Sequence, residues 1–146
     1  MTAREYLGAV SHLTRHIEAN AEQIERLRAL AERITPVYGT QSGGGKEYPD
    51  SRAEMVARIV DLENGLNADT KKLQAMWNEA NERIDRMPDA TYCTLLRMRY
   101  LAGKTFACIA EEMHYTERHV YRLHEEALQA FGRKYSKELH RMKKCQ

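Results

Sequence analysis

In the first 34 residues, apolar side chains recur at Tyr6, Val10, Leu13, Ile17, Ile24, Leu27, Ala31 and Ile34, alternating four and three apart, with Asn20 as one polar member. That spacing is a heptad seam sustained over about four heptads, and it requires a long helix with a partner along one side. Ala19, Ala21, Ala29 and Ala31 add helix propensity. Thr35-Pro36 ends the pattern, because a residue before proline is pushed out of the α region. The stretch VYGTQSGGGKEYPD, 37–50, reads as a loop. Asp50 or Ser51 is placed to cap the next helix, with Glu54 at capping-box spacing from Ser51.

A second seam runs through Met55, Ile59, Leu62, Leu66, Leu73, Met76 or Trp77, Ala80, Ile84 and Met87. Gly65 costs about 1 kcal/mol in a helix interior, yet the apolar phase carries across it, so one helix over about 52–86 is expected, bent there if anywhere. Two such helices fold back as an antiparallel, coiled-coil-like hairpin over 1–87; separate helices in a compact bundle are the alternative. Met87-Pro88-Asp89 punctuates the chain, and shorter helices are expected at about 90–101, 106–112 and from 117 to 131 or beyond, before a basic tail at 132–146 whose first part is open to extending the last helix. The fold class is therefore all-α.

Composition narrows the function. No run of about 18 apolar residues exists, so no membrane span is expected, and the first residues hold no signal-peptide core, which points to the cytoplasm. Cys93, Cys108 and Cys145 are odd in number and form no CxxC, which disfavours a disulfide framework or zinc ribbon; Cys93 and Cys108 read as small core residues. His12 and His16 are four apart but lack the glutamate of an HExxH motif, and Gly43–Gly45 is not followed by the GK[ST] of a phosphate loop. No motif supplies a catalytic base to Ser11, Ser42 or Ser136. Neither an enzyme nor a cofactor or metal is expected. Charge is uneven: residues 1–87 carry 12 Lys/Arg against 14 Asp/Glu, and residues 88–146 carry 11 against 7 with four of the six histidines. A polyanion would bind the C-terminal part.

That part holds the most informative stretch, KTFACIAEEMHYTERHVYRLHEEAL at 104–128. Thr105 and Thr116 are both good N-caps. Ile109, Ala110 and Met113 form one inner face, and Val120, Leu123, Ala127 and Leu128 form the next; Leu95, Leu96, Met98 and Leu101 supply a third side. A two-turn helix, a tight turn and a second capped helix are the parts of a helix-turn-helix. The apolar pattern leaves Glu117, Arg118, His119, Tyr121, Arg122 and Glu125 facing outward. Such charges often form no more than a solvated face, but this set suits a major groove, where Arg pairs with guanine and His or Tyr reaches base edges. Glu117, Arg118, His119, Tyr121 and Arg122 are the expected base-reading residues. Lys104, Thr105, Thr116, Arg97 and Arg99, with the tail lysines, are expected at the DNA backbone.

The segment LLRMRYLAGKTFACIAEEMHYTERHVYRLHEEALQAF, with its leucine helix ending in RY, its Gly-Lys-Thr entry, its Ile-Ala pair and its Thr cap, resembles conserved region four of bacterial sigma factors over residues 88–131. The whole chain, with IVDLENGLN, resembles small prophage proteins carrying such a domain, of the ArpU/RinA-type transcriptional regulator kind. The resemblance implies a recognition helix matched by Glu117, Arg118, His119, Tyr121 and Arg122, and RNA polymerase as a partner. His114 stands where many such turns have glycine, and Ala107-Cys108 replaces an acidic pair. The expected function is sequence-specific binding of double-stranded DNA by a homo-oligomer, pictured as a dimer, in transcription regulation. Two other readings stay open: a DNA-packaging oligomer like a terminase small subunit, and an interaction protein whose C-terminal domain binds polymerase.

Overall fold

In a computed structural model, residues 1–33 and 51–144 are described, and all their regular structure is helical. The elements are α1 (Ala3–Arg33), α2 (Ser51–Asp85), α3 (Ala90–Leu96), a π-helical turn (Arg97–Leu101), α4 (Phe106–Met113), α5 (Glu117–Lys134) and α6 (Ser136–Lys144). The expected loop at 36–50, the cap at Asp50 or Ser51, and Cys145 lie outside the described residues and side chains. No described helix is long and apolar enough to cross a membrane.

The chain divides into two compact units, one of residues 1–14 with 72–146 and one of residues 15–71. This differs from the division expected at residue 87. The reason lies in the core of the first unit. There Tyr6, Leu7 and Val10 of α1 and Ala80 and Ile84 of α2 are buried in one cluster with Leu96, Tyr100, Leu128, Phe131, Tyr135 and Leu139. The first part of the basic tail extends the last helix, α5 running to Lys134; beyond that, α6 follows after a break at Tyr135, and Tyr135 and Leu139 belong to the buried cluster.

The C-terminus of α2 has its last carbonyls satisfied from outside the helix, as a buried helix end requires. Tyr135 donates its hydroxyl to the Arg83 carbonyl (2.7 Å), Cys93 its thiol to the Ile84 carbonyl (3.1 Å), and Lys134 its ammonium to the Arg86 carbonyl. Burial pushes the Cys93 thiol pKa up, which keeps the proton needed for that bond. Cys108, by contrast, is exposed, so only one of the two expected core cysteines is in the core. It follows Ala107 on the outer side of α4, whereas Ile109 and Ala110 turn inward.

In the unit of residues 15–71, Ile24 and Ile59 are buried, and Ile17, Leu27, Leu62 and Leu66 are partly covered. Arg28 pairs with Glu63, and His16 with Asp69 (3.6 Å). The seam positions are thus the covered ones, and α2 runs through Gly65 without a break. Leu30, Val56 and Val60 remain about half exposed. In the other unit, Met76 rather than Trp77 takes the inward place; Trp77 is exposed.

Candidate nucleic-acid interface

Each short helix begins on a cap that the sequence supplies. Asp89 accepts from the Thr91 and Tyr92 amides, opening α3. Thr105 accepts from the Cys108 amide (3.3 Å) and Thr116 from the His119 amide (3.2 Å), opening α4 and α5. Between these two helices His114 takes a left-handed conformation (φ 57°), so the Tyr115 amide reaches back to the Ala110 carbonyl (2.9 Å). That is the Schellman closure that glycine commonly supplies. Histidine accepts positive φ more readily than most residues, and the turn forms without glycine. Gly103 (φ 68°) serves the same purpose after the π turn, where the Lys104 amide bonds the Met98 carbonyl.

A second, smaller cluster fixes α4 against α5: Leu95, Ile109, Ala110 and Val120 are buried, with Met98, Phe106, Met113 and Leu123 packed around them. Val120, His124, Ala127, Leu128 and Phe131 form the buried side of α5. The other side is solvent-facing. Glu117, Arg118, Tyr121, Arg122 and Glu125 are exposed, and His119 is half-buried at its edge.

The outward residues differ in how firmly they are held. Arg118 has no partner among the described residues. Tyr121 leans on Phe106 (ring centroids 4.4 Å apart), which also lies under the Arg99 guanidinium at 4.2 Å. Arg122 contacts His119 Nδ1 (3.0 Å) and lies 3.8 Å from Glu126. Glu125 is paired with Arg4 of α1, whose hydrogen bond is the main reason its carboxyl pKa is lowered.

Of the expected backbone contacts, Arg97, Arg99, Lys104, Thr105 and Thr116 are engaged within the chain. Arg97 bonds Asn81 (3.1 Å) and pairs with Asp85; Arg99 donates to the Lys104 carbonyl (2.9 Å). Lys104 sits on the Glu112 carboxylate at 2.7 Å, and Thr105 and Thr116 serve as caps. Less committed cations lie further along. Lys137 and Arg141 are exposed on α6, beside His140, and line a shallow surface with Ser136.

Sequence reasoning missed His124. It is 3% exposed and shares a 3.0 Å hydrogen bond with the Tyr100 hydroxyl, while Phe106 meets its ring edge-on. Its position four after Val120 and four before Leu128 places it on the apolar stripe, and that spacing is the available signal. Burial, then the Arg4 guanidinium, lowers its pKa; the Glu125 carboxylate opposes them and Arg99 adds to them. His124 is therefore neutral in the folded protein at neutral pH. Below its unfolded value of about 6.5 the unfolded chain binds a proton that the folded chain resists, so acid favours unfolding. We expect stability to fall as pH drops through about 6.5, and His124→Gln to flatten that slope in urea melts between pH 7.5 and 5.5, a range of roughly one unit either side. An unchanged slope in the variant would refute the assignment.

Comparison of the chain with protein-family profiles, curated proteins and solved structures finds no match.

Proposed function

We propose that this chain is a sequence-specific DNA-binding transcription regulator of phage or prophage type, in which α4 and α5 act as a helix-turn-helix and α5 enters the major groove. The observation that carries this reading is the outer face of α5. Arg118, Tyr121 and Arg122 are exposed there on a helix capped by Thr116 and held from behind by a buried cluster. A rigid helix presenting Arg and Tyr is what base-edge reading requires. The likeness of residues 88–131 to sigma region four supports the same reading, with RNA polymerase as a further partner and the cytoplasm as its place.

The N-terminal helices act in self-association or polymerase contact, as an antiparallel hairpin. The pairs Arg28–Glu63 and His16–Asp69, which run in opposite order along the two helices, support the hairpin. Half-exposed Leu30, Val56 and Val60 support burial against a second copy, giving a dimer whose two α5 helices meet two half-sites. No catalytic role or cofactor is part of this proposal. Arg97, Arg99 and Lys104 would reach phosphate only by exchanging their internal partners, which leaves Lys137 and Arg141 as the readier backbone contacts.

Selection of bound sequences from a random duplex pool, with the full chain at about 150 mM salt, tests this; at that ionic strength exposed charges are largely screened beyond about 8 Å. A recovered motif is expected, its half-site spacing reporting one or two bound domains. Within that motif, Arg122→Ala should cost about 1–3 kcal/mol at a single base pair. Recovery of no motif, with binding lost on modest added salt, would overturn sequence reading. Ring-sized oligomers in solution would then favour the packaging role.

A further inference from the structure

The two arginines on the outer face of α5 are not equivalent. Arg118 stands alone among the described residues, whereas Arg122 is held along one edge of its guanidinium. Its Nη2 contacts His119 Nδ1 at 3.0 Å and its Nε lies 3.8 Å from Glu126 Oε1. The other oxygen of Glu126 accepts the Tyr92 hydroxyl from α3 at 3.1 Å. Tyr115, in the turn before α5, packs edge-on against His119 (4.8 Å, 84°). Arginine carries donors only, so the contact with His119 requires a lone pair on Nδ1 and places the imidazole proton on Nε2.

Nε and Nη2 share one side of the planar guanidinium. Nη1 has no partner among the described residues, which leaves its N–H and the second N–H of Nη2 as an end-on pair. Those two parallel donors are the fork that pairs with O6 and N7 of guanine in a major groove. Resting on the reading of α5 as a major-groove helix, we infer that Glu126 and His119, anchored by Tyr92 and Tyr115, are positioning residues that hold the Arg122 fork for one guanine. His119 thereby moves from the expected base-reading group to a supporting one. The Arg122 base pair is read more strictly than that of Arg118, which must be ordered on binding.

Removing Glu126 has two effects of opposite sign. Deleting a carboxylate near the phosphates raises affinity for every sequence, whereas freeing Arg122 lowers discrimination at one base pair. Competition binding with the full chain, each motif position varied in turn, separates the two. Arg122→Ala should relax one base pair by roughly 5- to 150-fold. Glu126→Ala should relax the same base pair by roughly 2- to 12-fold, the cost of ordering one long side chain, while tightening non-specific binding. In the Arg122→Ala background it should relax that base pair no further. Glu126→Gln can keep its amide oxygen toward Arg122 while its N–H donates to the Tyr92 hydroxyl oxygen, and should keep most of the discrimination. The inference is overturned if Glu126→Ala leaves that preference at the wild-type level, moves a different base pair, or adds in full to Arg122→Ala. Failure of the wild type to select any motif would instead bring down the DNA-reading proposal itself.

Discussion

A fragment of residues 88–146, cut where the sequence punctuates with Pro88, is expected to lack cooperative folding. The cut removes Tyr6, Leu7, Val10, Ala80 and Ile84 from the cluster that buries Leu96, Tyr100, Phe131 and Tyr135. Leu7, Val10 and Ile84 are fully buried, and such side chains are worth about 1.5–3 kcal/mol each. Three of them already approach the roughly 5–15 kcal/mol by which a whole domain is stable. The cut also removes Ser11, whose hydroxyl bonds the Tyr100 carbonyl in the π turn (2.8 Å), and Arg4, the partner of Glu125. Circular dichroism and a thermal melt read the outcome. The full chain should melt in a sigmoidal transition, and the fragment should lose helix gradually without one. A sharp melt of the fragment would mean that its own apolar residues close a sufficient core.

The dependence of the C-terminal helices on α1 and α2 is where sequence reading stops. Local signals are legible because they depend on neighbours in the chain. Thr105 and Thr116 cap, His114 turns left-handed, and each helix ends within a few residues of its expected bound. The seam in α1 is legible for the same reason, since spacing alone tells which side must be covered. The partner that covers it is not. The first turns of α1 have the same four-three pattern as the rest, yet Tyr6 and Val10 share a cluster with α5 and α6 residues, Tyr6 stacking on Phe131, and nothing in a heptad distinguishes those partners. The tail hides for a related reason. Lys134, Lys137, Arg141 and Lys143 dominate its composition, while Tyr135 and Leu139 continue the buried stripe of Leu128 and Phe131 at four-residue spacing.

At the candidate interface, the outward set on α5 follows from periodicity, but its internal partners do not. Nothing in the order of residues says that Tyr92 reaches Glu126, 34 positions away, or that Phe106 gathers Arg99, Tyr121 and His124 around one ring. Long polar side chains choose partners in three dimensions. For that reason Arg97, Arg99 and Lys104, which read as free cations in the sequence, are occupied in the fold.

Phe131→Ala should be among the costliest single substitutions and, on the proposed reading of α5, should leave base selection unchanged in whatever fraction stays folded. Phe131 has no exposed surface, and its ring lies 6.0 Å from that of Tyr6 and 4.8 Å from that of Tyr135, so it joins α1 to the C-terminal end of α5. Truncating a buried Phe costs about 3–5 kcal/mol, through lost burial and the cavity left behind. At this chain length that corresponds to a fall in Tm of roughly 6–20 °C. Phe131→Leu fills most of the space and should cost less than half as much, about 1.5 kcal/mol or under. The smaller cluster of Leu95, Ile109, Ala110 and Val120, which seats the outer face of α5, does not include Phe131. Below its lowered Tm, on the proposal that α5 reads DNA, Phe131→Ala should therefore select the same bases as the wild type, with only the active fraction reduced. Arg122→Ala should do the reverse, keeping its Tm and losing one base. If Phe131→Ala kept its Tm, or altered the selected motif while folded, the two clusters would not divide stability from reading in this way.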